Sequence, residues 1–144
     1  MLAKDFMSPS LEVIDRRASL LMAAKKMVNH NVGVLPVVDG NRLIGIITDR
    51  DLVVRAMARG INPEIVEVDL VMTQDVVTCR AETEVGHIVN LMERHQLRRI
   101  IVTDADDSPI GIIAVEDLAA KAADKQLAAT ALYRGASGSA LQLH

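Results

Sequence analysis

Two short polar groupings in this chain have the residue types to hold a small molecule. The first is Thr48-x-x-Asp51, a hydroxyl and a carboxylate three positions apart. An ionised carboxylate accepts charge-assisted hydrogen bonds from both hydroxyls of a vicinal diol, such as that of ribose. The same spacing is also that of a capping box, in which each side chain satisfies the backbone amide of the other. Spacing alone leaves both roles open, and one pair can serve both. The second grouping is Arg98-Arg99. Their planar forks of donors suit phosphate oxygens, although a basic pair is equally at home on a solvated strand start.

Other candidates carry less. His30 and His95 each end a predicted helix, where an imidazolium complements the dipole, and neither has evident partners for a metal. Asp104, Asp106 and Asp107 read as an acidic surface turn, and Cys79 as a small buried residue. Gly135-x-Ser137-Gly138 misses the nucleophile-elbow spacing, and there is no Walker or dinucleotide glycine loop. No catalytic constellation and no metal site is expected; the chain does not read as an enzyme.

Composition narrows the class further. With 144 residues, half of them apolar and 24% charged, the chain can build an ordinary globular core. A net charge of −3 and only Phe6 and Tyr133 as aromatics argue against a nucleic-acid surface. No apolar run approaches the ~18–20 residues of a membrane span. The single cysteine and the absence of a leader-like apolar stretch at the N-terminus make the cytoplasm the expected compartment.

The elements that must position these residues occur twice. Met7-Ser8 matches Met72-Thr73, Met27 matches Met92 and His30 matches His95, each pair 65 positions apart. Ile44-Gly45-Ile46-Ile47 matches Ile110-Gly111-Ile112-Ile113, and Asp51-Leu52 matches Asp117-Leu118, now 66 apart. The extra residue falls in the turn between two matched strands, as a structural duplication predicts. Each copy begins with a short extended piece (Leu11 to Ile14; Val76 to Cys79). A helix follows, with apolar positions at Leu20, Leu21, Ala24, Met27 and Val28, or at Val85, Ile88, Val89 and Met92. Two β-rich runs come next, Val34 to Val38 and Leu43 to Thr48 around Asp39-Gly40, then Ile100 to Thr103 and Ile110 to Ala114. A second helix runs from about Asp49 to Arg59 with Gly60 as its stop, and from Val115 to at least Ala123. The spacing thus predicts an α/β fold of two tandem β-α-β-β-α repeats, packed sheet to sheet about a pseudo-two-fold axis. Residues 1–62 form the first repeat, 63–124 the second, and 125–144 a helical extension and flexible tail.

Leu35-Pro36-Val37-Val38-Asp39 followed by Leu43-Ile44-Gly45-Ile46-Ile47-Thr48-Asp49-Arg50-Asp51-Leu52 closely resembles the signature of the CBS domain, named for cystathionine β-synthase. Two tandem copies look like a Bateman module, and the resemblance covers roughly residues 5 to 123. It implies regulatory binding of an adenosyl ligand (AMP, ADP, ATP or S-adenosylmethionine) in a cleft between repeats, with no cofactor required. Occupancy is then reported to a partner protein of unknown identity, and the chain is similar to stand-alone bacterial and archaeal CBS pairs, often homodimers. The alternative is a ligand-free dimerisation and protein-interaction module.

Carried onto this chain, the family motif places Asp51 at the ribose and Thr48 near the ribose or phosphate. Arg98 and Arg99 precede the strand from which basic residues of the family reach phosphate. Adenine is expected in an aliphatic slot that includes Ile14, Pro36 and Ile46. The second copy keeps Asp117 but has Ala114 where the hydroxyl belongs, so its site is expected to be weak or empty. The apolar helix from Leu52 to Ala58 is the expected dimer face.

Overall fold

Each half of the chain carries an apolar stripe of helical period followed by two β-rich runs, and each half folds accordingly. The computed structural model describes residues 1–9 and 11–121. The extension and tail expected over 125–144 lie outside the described residues.

The first copy comprises β1 (Ile14–Asp15), α1 (Leu20–His30), β2 (Val34–Asp39), β3 (Arg42–Thr48) and α2, which opens at Asp49–Asp51. The second comprises β4 (Thr78–Arg80), α3 (Val85–His95), β5 (Arg99–Thr103), β6 (Pro109–Ala114) and α4 (Val115–Lys121). The expected β-α-β-β-α order therefore occurs twice, giving two three-stranded sheets, β1-β2-β3 and β4-β5-β6.

Local signals explain where the elements begin and end. Ser19 caps α1 by accepting a bond from the Met22 amide at 3.1 Å. Both α1 and α3 end on a left-handed residue, Asn31 at φ 52° and Gln96 at φ 53°, so the duplication extends to the helix stops. The turn between β2 and β3 is Gly40-Asn41, with Gly40 at φ 64°, a conformation that glycine adopts without steric cost. Helix α2 spans the expected Asp49 to Arg59 and stops at Gly60, φ 69°, but only its first turn is regular. Leu52–Ala56 is wound as a π-helix and Met57–Arg59 as a 3-10 turn. Val53 and Val54, β-branched and stiff at χ1, sit inside the π-helical segment.

The sheets face their helices as the period-2 pattern requires. Parallel pairing sets Ile14 opposite Val37, and antiparallel pairing sets Leu35 opposite Ile47 and Pro36 opposite Ile46. Ile14, Leu35, Val37 and Ile47 pack with Leu20, Ala23 and Met27 of α1. The buried stripe of α1 is thus 20, 23, 27, one residue away from the expected Ala24, and Val28 is 80% exposed instead of packed. In α3 the expected stripe of Val85, Ile88, Val89 and Met92 is buried throughout.

Contacts divide the chain into two compact units that do not follow chain order. One is Glu12–Val76 with Asp106–Pro109; the other joins Met1–Leu11, Val77–Ala105 and the chain from Ile110. The repeat boundary expected at 62/63 follows the duplication; the contacts group the Met-Ser/Thr segment of each copy with the other copy's last strand. Thr73 exchanges backbone bonds with Ile46 of β3 (2.8 and 2.9 Å), and Ser8 does the same with Ile112 of β6 (2.9 and 3.2 Å). In each case the strand residue beneath is glycine. A Cβ on Gly45 would lie 2.7 Å from both Met72 Sδ and the Thr73 carbonyl oxygen; one on Gly111 would lie 2.8 Å from Met7 Sδ and 3.1 Å from the Ser8 carbonyl oxygen. Gly86 in α3 has nothing within 4 Å of that position. Thermal melts are therefore expected to separate the three glycines. Gly45→Ala and Gly111→Ala should each cost about 1–3 kcal/mol by overpacking, whereas Gly86→Ala should gain a few tenths to ~1 kcal/mol from helix propensity.

Candidate functional site

Strand β3 ends at Thr48 and the chain turns at once into α2, which makes Thr48 the cap residue. Its Oγ1 accepts a bond from the Asp51 amide at 3.0 Å, and Asp51 Oδ2 accepts one from the Thr48 amide at 3.0 Å. The capping box is complete. It also orients what remains of both side chains. The Thr48 hydroxyl is used there as an acceptor, so its hydrogen is still available to donate. The second oxygen of Asp51 points elsewhere: Thr73 Oγ1 donates to Oδ1 at 3.5 Å, and Arg55 Nε lies 3.7 Å from it. Arg55, one helical turn beyond Asp51, also donates from Nη1 to the Val71 and Met72 carbonyl oxygens at 3.4 and 3.3 Å. Asp51 is only 8% exposed, while the Arg55 side chain is half exposed.

Thr73 and Arg55 were not among the residues expected at the site. Arg55 had a signal, since a cation at i+4 from a carboxylate on a helix is a recognised pair. Thr73 had only its place in the Met-Ser/Thr duplication. The sequence does not say that this segment returns to β3.

The other expected residues divide. Thr48, Asp51, Pro36 and Ile46 belong to one unit, and Pro36 and Ile46 form a cross-strand pair on the same sheet face as Val34 and Thr48. Pro36, expected in the adenine slot, is fully buried and offers a ligand no surface, while Ile46 is half-buried. Ile14, expected on that face, is on the opposite one: its pairing with Val37 turns it toward α1 and into the core. Arg98, Arg99 and Asp117 belong to the other unit. Asp117 Oδ2 accepts from the Ala114 amide at 2.8 Å, which preserves one half of the box; the other half is missing because Ala114 has no hydroxyl. Arg98, mostly buried, forms an ion pair with Glu116 through Nη2. The Glu116 carboxyl is held below its ordinary range by its own backbone amide and by Arg98, with a contribution from Arg99. Arg99 is exposed at the first position of β5.

Two of the lesser candidates, His30 and Cys79, have structural roles, as does Arg16. Arg16 bridges Asp39 and Asp69, at 3.1 Å each, and His30 Nε2 lies 3.1 Å from Glu12. Burial pushes the Cys79 thiol up to about 11, so it is a protonated core residue at neutral pH. Among the described residues no three His, Cys, Asp or Glu side chains come together as a metal-ligand set. No helix among them is long and apolar enough to cross a membrane.

Comparison with known proteins decides the family, since the CBS domain pattern matches residues 3–57 and 66–124. The chain belongs to the CBS domain family. Among its relatives, YlbB of Bacillus subtilis is 37% identical over 131 residues, covering 90% of this chain and 87% of that protein. Hypoxic response protein 1 of Mycobacterium tuberculosis is 30% identical over 118 residues, 81% of this chain and 82% of that one. A crystal structure of Hypoxic Response Protein I with two coordinated zinc ions matches with a TM-score of 0.76, at 29% identity, over 85% of this chain and 99% of that one. The CBS domain pair of MJ0100, solved in complex with 5′-methylthioadenosine and S-adenosylmethionine, matches with a TM-score of 0.71 at 29% identity, over 83% and 98% of the two chains.

The two CBS copies thus differ at the cap by one hydroxyl, and the difference is measurable in stability. Thr48→Ala should cost about 0.5–2 kcal/mol in a denaturant melt. Ala114→Thr, which completes the second box, should gain a fraction of that amount.

Proposed function

We propose that this CBS pair is a regulatory module that binds an adenosyl ligand of the AMP, ADP or ATP type, or S-adenosylmethionine, at the Thr48–Asp51 turn and passes its occupancy to a partner protein. The observation that carries this reading is the capping box. It holds a carboxylate oxygen and a hydroxyl hydrogen in place at the end of the strand that carries the half-buried Ile46. Asp51 Oδ1 accepts the ribose hydroxyls, Thr48 donates to a ribose or phosphate oxygen, and adenine lies on aliphatic surface. The long contacts of Thr73 and Arg55 to Oδ1 yield to the sugar. The adenosyl ligands of the MJ0100 pair support the same ligand class. The second copy is the weaker site, since a lost hydrogen bond costs about 0.5–1.5 kcal/mol, or about three- to tenfold in affinity. The single free cysteine, Cys79, suits a reducing cytoplasm.

A second reading, a ligand-free interaction module, is favoured by how little of Asp51 is exposed. A thermal-shift series with AMP, ADP, ATP, S-adenosylmethionine and NAD separates the two. Ligand at a hundredfold excess over Kd stabilises by about 2.7 kcal/mol, a rise of roughly 5–10 °C for a chain of this size. Asp51→Asn, which keeps an acceptor for the cap but removes the charge, should reduce the affinity by about tenfold or more. No shift with any of these compounds at millimolar concentration leaves the interaction module as the function.

Both readings include a homodimer through α2. Val53, Val54 and Met57 are exposed there, Met57 at 73%, a cluster of apolar side chains of the kind that marks an interaction face. Light scattering at micromolar concentration should give twice the chain mass, and Met57→Glu should return it toward one; a monomeric wild type removes the dimer.

A further inference from the structure

We infer that Arg55 sets the charge of the ligand this site accepts, selecting a nucleoside phosphate over uncharged or cationic adenosyl compounds. The inference rests on the adenosyl reading above and narrows it.

Asp51 poses an electrostatic problem for any phosphate bound nearby. Its charge is nearly buried and would repel an anion unless a cation stands beside it. Arg55 is that cation, 3.7 Å from Oδ1. Its described contacts are all long: 3.7 Å to Asp51, 3.4 Å to Val71 and 3.3 Å to Met72. A guanidinium has five N–H donors in a planar fork, so these contacts use it poorly. The side chain is half exposed, and an ion pair so placed contributes little to folding, so moving it costs little. Arg55 also sits within the π-helical segment Leu52–Ala56, a rare winding that is frequent at functional sites.

When a nucleoside phosphate binds, Asp51 Oδ1 takes the ribose hydroxyls and Arg55 exchanges its three long contacts for a bidentate grip on phosphate. A sulfonium or ammonium group in the same position would face the guanidinium, and an uncharged thioether would gain nothing from it. The second copy cannot reproduce the arrangement. Position 121, which corresponds to Arg55, is a lysine, a point charge without the fork, and position 114 lacks the hydroxyl.

Calorimetric titration of the full chain with AMP and with 5′-methylthioadenosine tests the inference. Wild type should bind AMP at least about tenfold tighter, with a ratio that falls as salt is raised. Arg55→Gln should lose about tenfold or more toward AMP while changing 5′-methylthioadenosine by less than about threefold, and Arg55→Lys should recover part of the loss. An equal loss for both ligands makes Arg55 a brace for the 71–72 segment and overturns the inference. So does a wild type that prefers 5′-methylthioadenosine, and that comparison needs no variant to fold. Either result leaves the adenosyl reading standing. A wild type that binds neither compound overturns the inference; the adenosyl reading falls with it only when ADP, ATP and S-adenosylmethionine also give no thermal shift.

Discussion

Thr73 and Ile46 exchange both of their backbone hydrogen bonds across a strand residue that has no side chain, and the site depends on this approach. With Gly45 bare, the Met72–Thr73 backbone settles against β3. Met72 and Val71 then join the core of that unit. The same placement brings the Thr73 hydroxyl to Asp51 and turns the carbonyls of residues 71 and 72 toward Arg55. A glycine on one strand thereby fixes the polar surroundings of a carboxylate six residues further along the chain. Gly111 repeats the arrangement beneath Met7 and Ser8, so the approach belongs to the design of both copies and is not an accident of one.

In the proposed function, the capping box and the ligand site are two uses of the same atoms. A carboxylate as buried as Asp51 is costly unless its oxygens are bonded. The Thr48 amide satisfies Oδ2 with good geometry, so the cap bears most of that cost and keeps the charge in place. Oδ1 has only contacts at or beyond the limit of a hydrogen bond. This split makes one oxygen structural and leaves the other available to a ligand.

Much of the architecture was legible because duplication shows in sequence without any knowledge of the fold. The 65- and 66-residue offsets, the Gly40 turn and the Gly60 stop all describe local geometry, and the structure has them where they were expected. The misses came from non-local pairing. Ile14 shares a face with Val37 because of the parallel register of a two-residue strand, which its own residues do not encode. The stripe of α1 is offset by one residue because both Ala23 and Ala24 suit an apolar face, and packing on the sheet chose between them. The matched Met-Ser/Thr pairs announced a repeat, yet nothing in either pair says that it lies on the other copy's strand. Thr73 was therefore missing from the expected site, and Arg55 was passed over although it stands at i+4 from Asp51.

The same physics separates the two copies. In the first, Gly33 leaves room for the Asp49 carboxylate, 2.9 Å from where a Cβ would be. In the second, the corresponding Arg98 has a long side chain that pairs with Glu116, and its backbone carbonyl accepts the Val115 amide at 2.9 Å, as that of Gly33 accepts the Asp49 amide. The backbone connection is conserved between copies while the charges around it change. Ala114 removes the donor that Thr48 supplies, and the basic residues near the second turn are already neutralised in part by Glu116. The duplicated frame therefore carries one complete capping box and one half box.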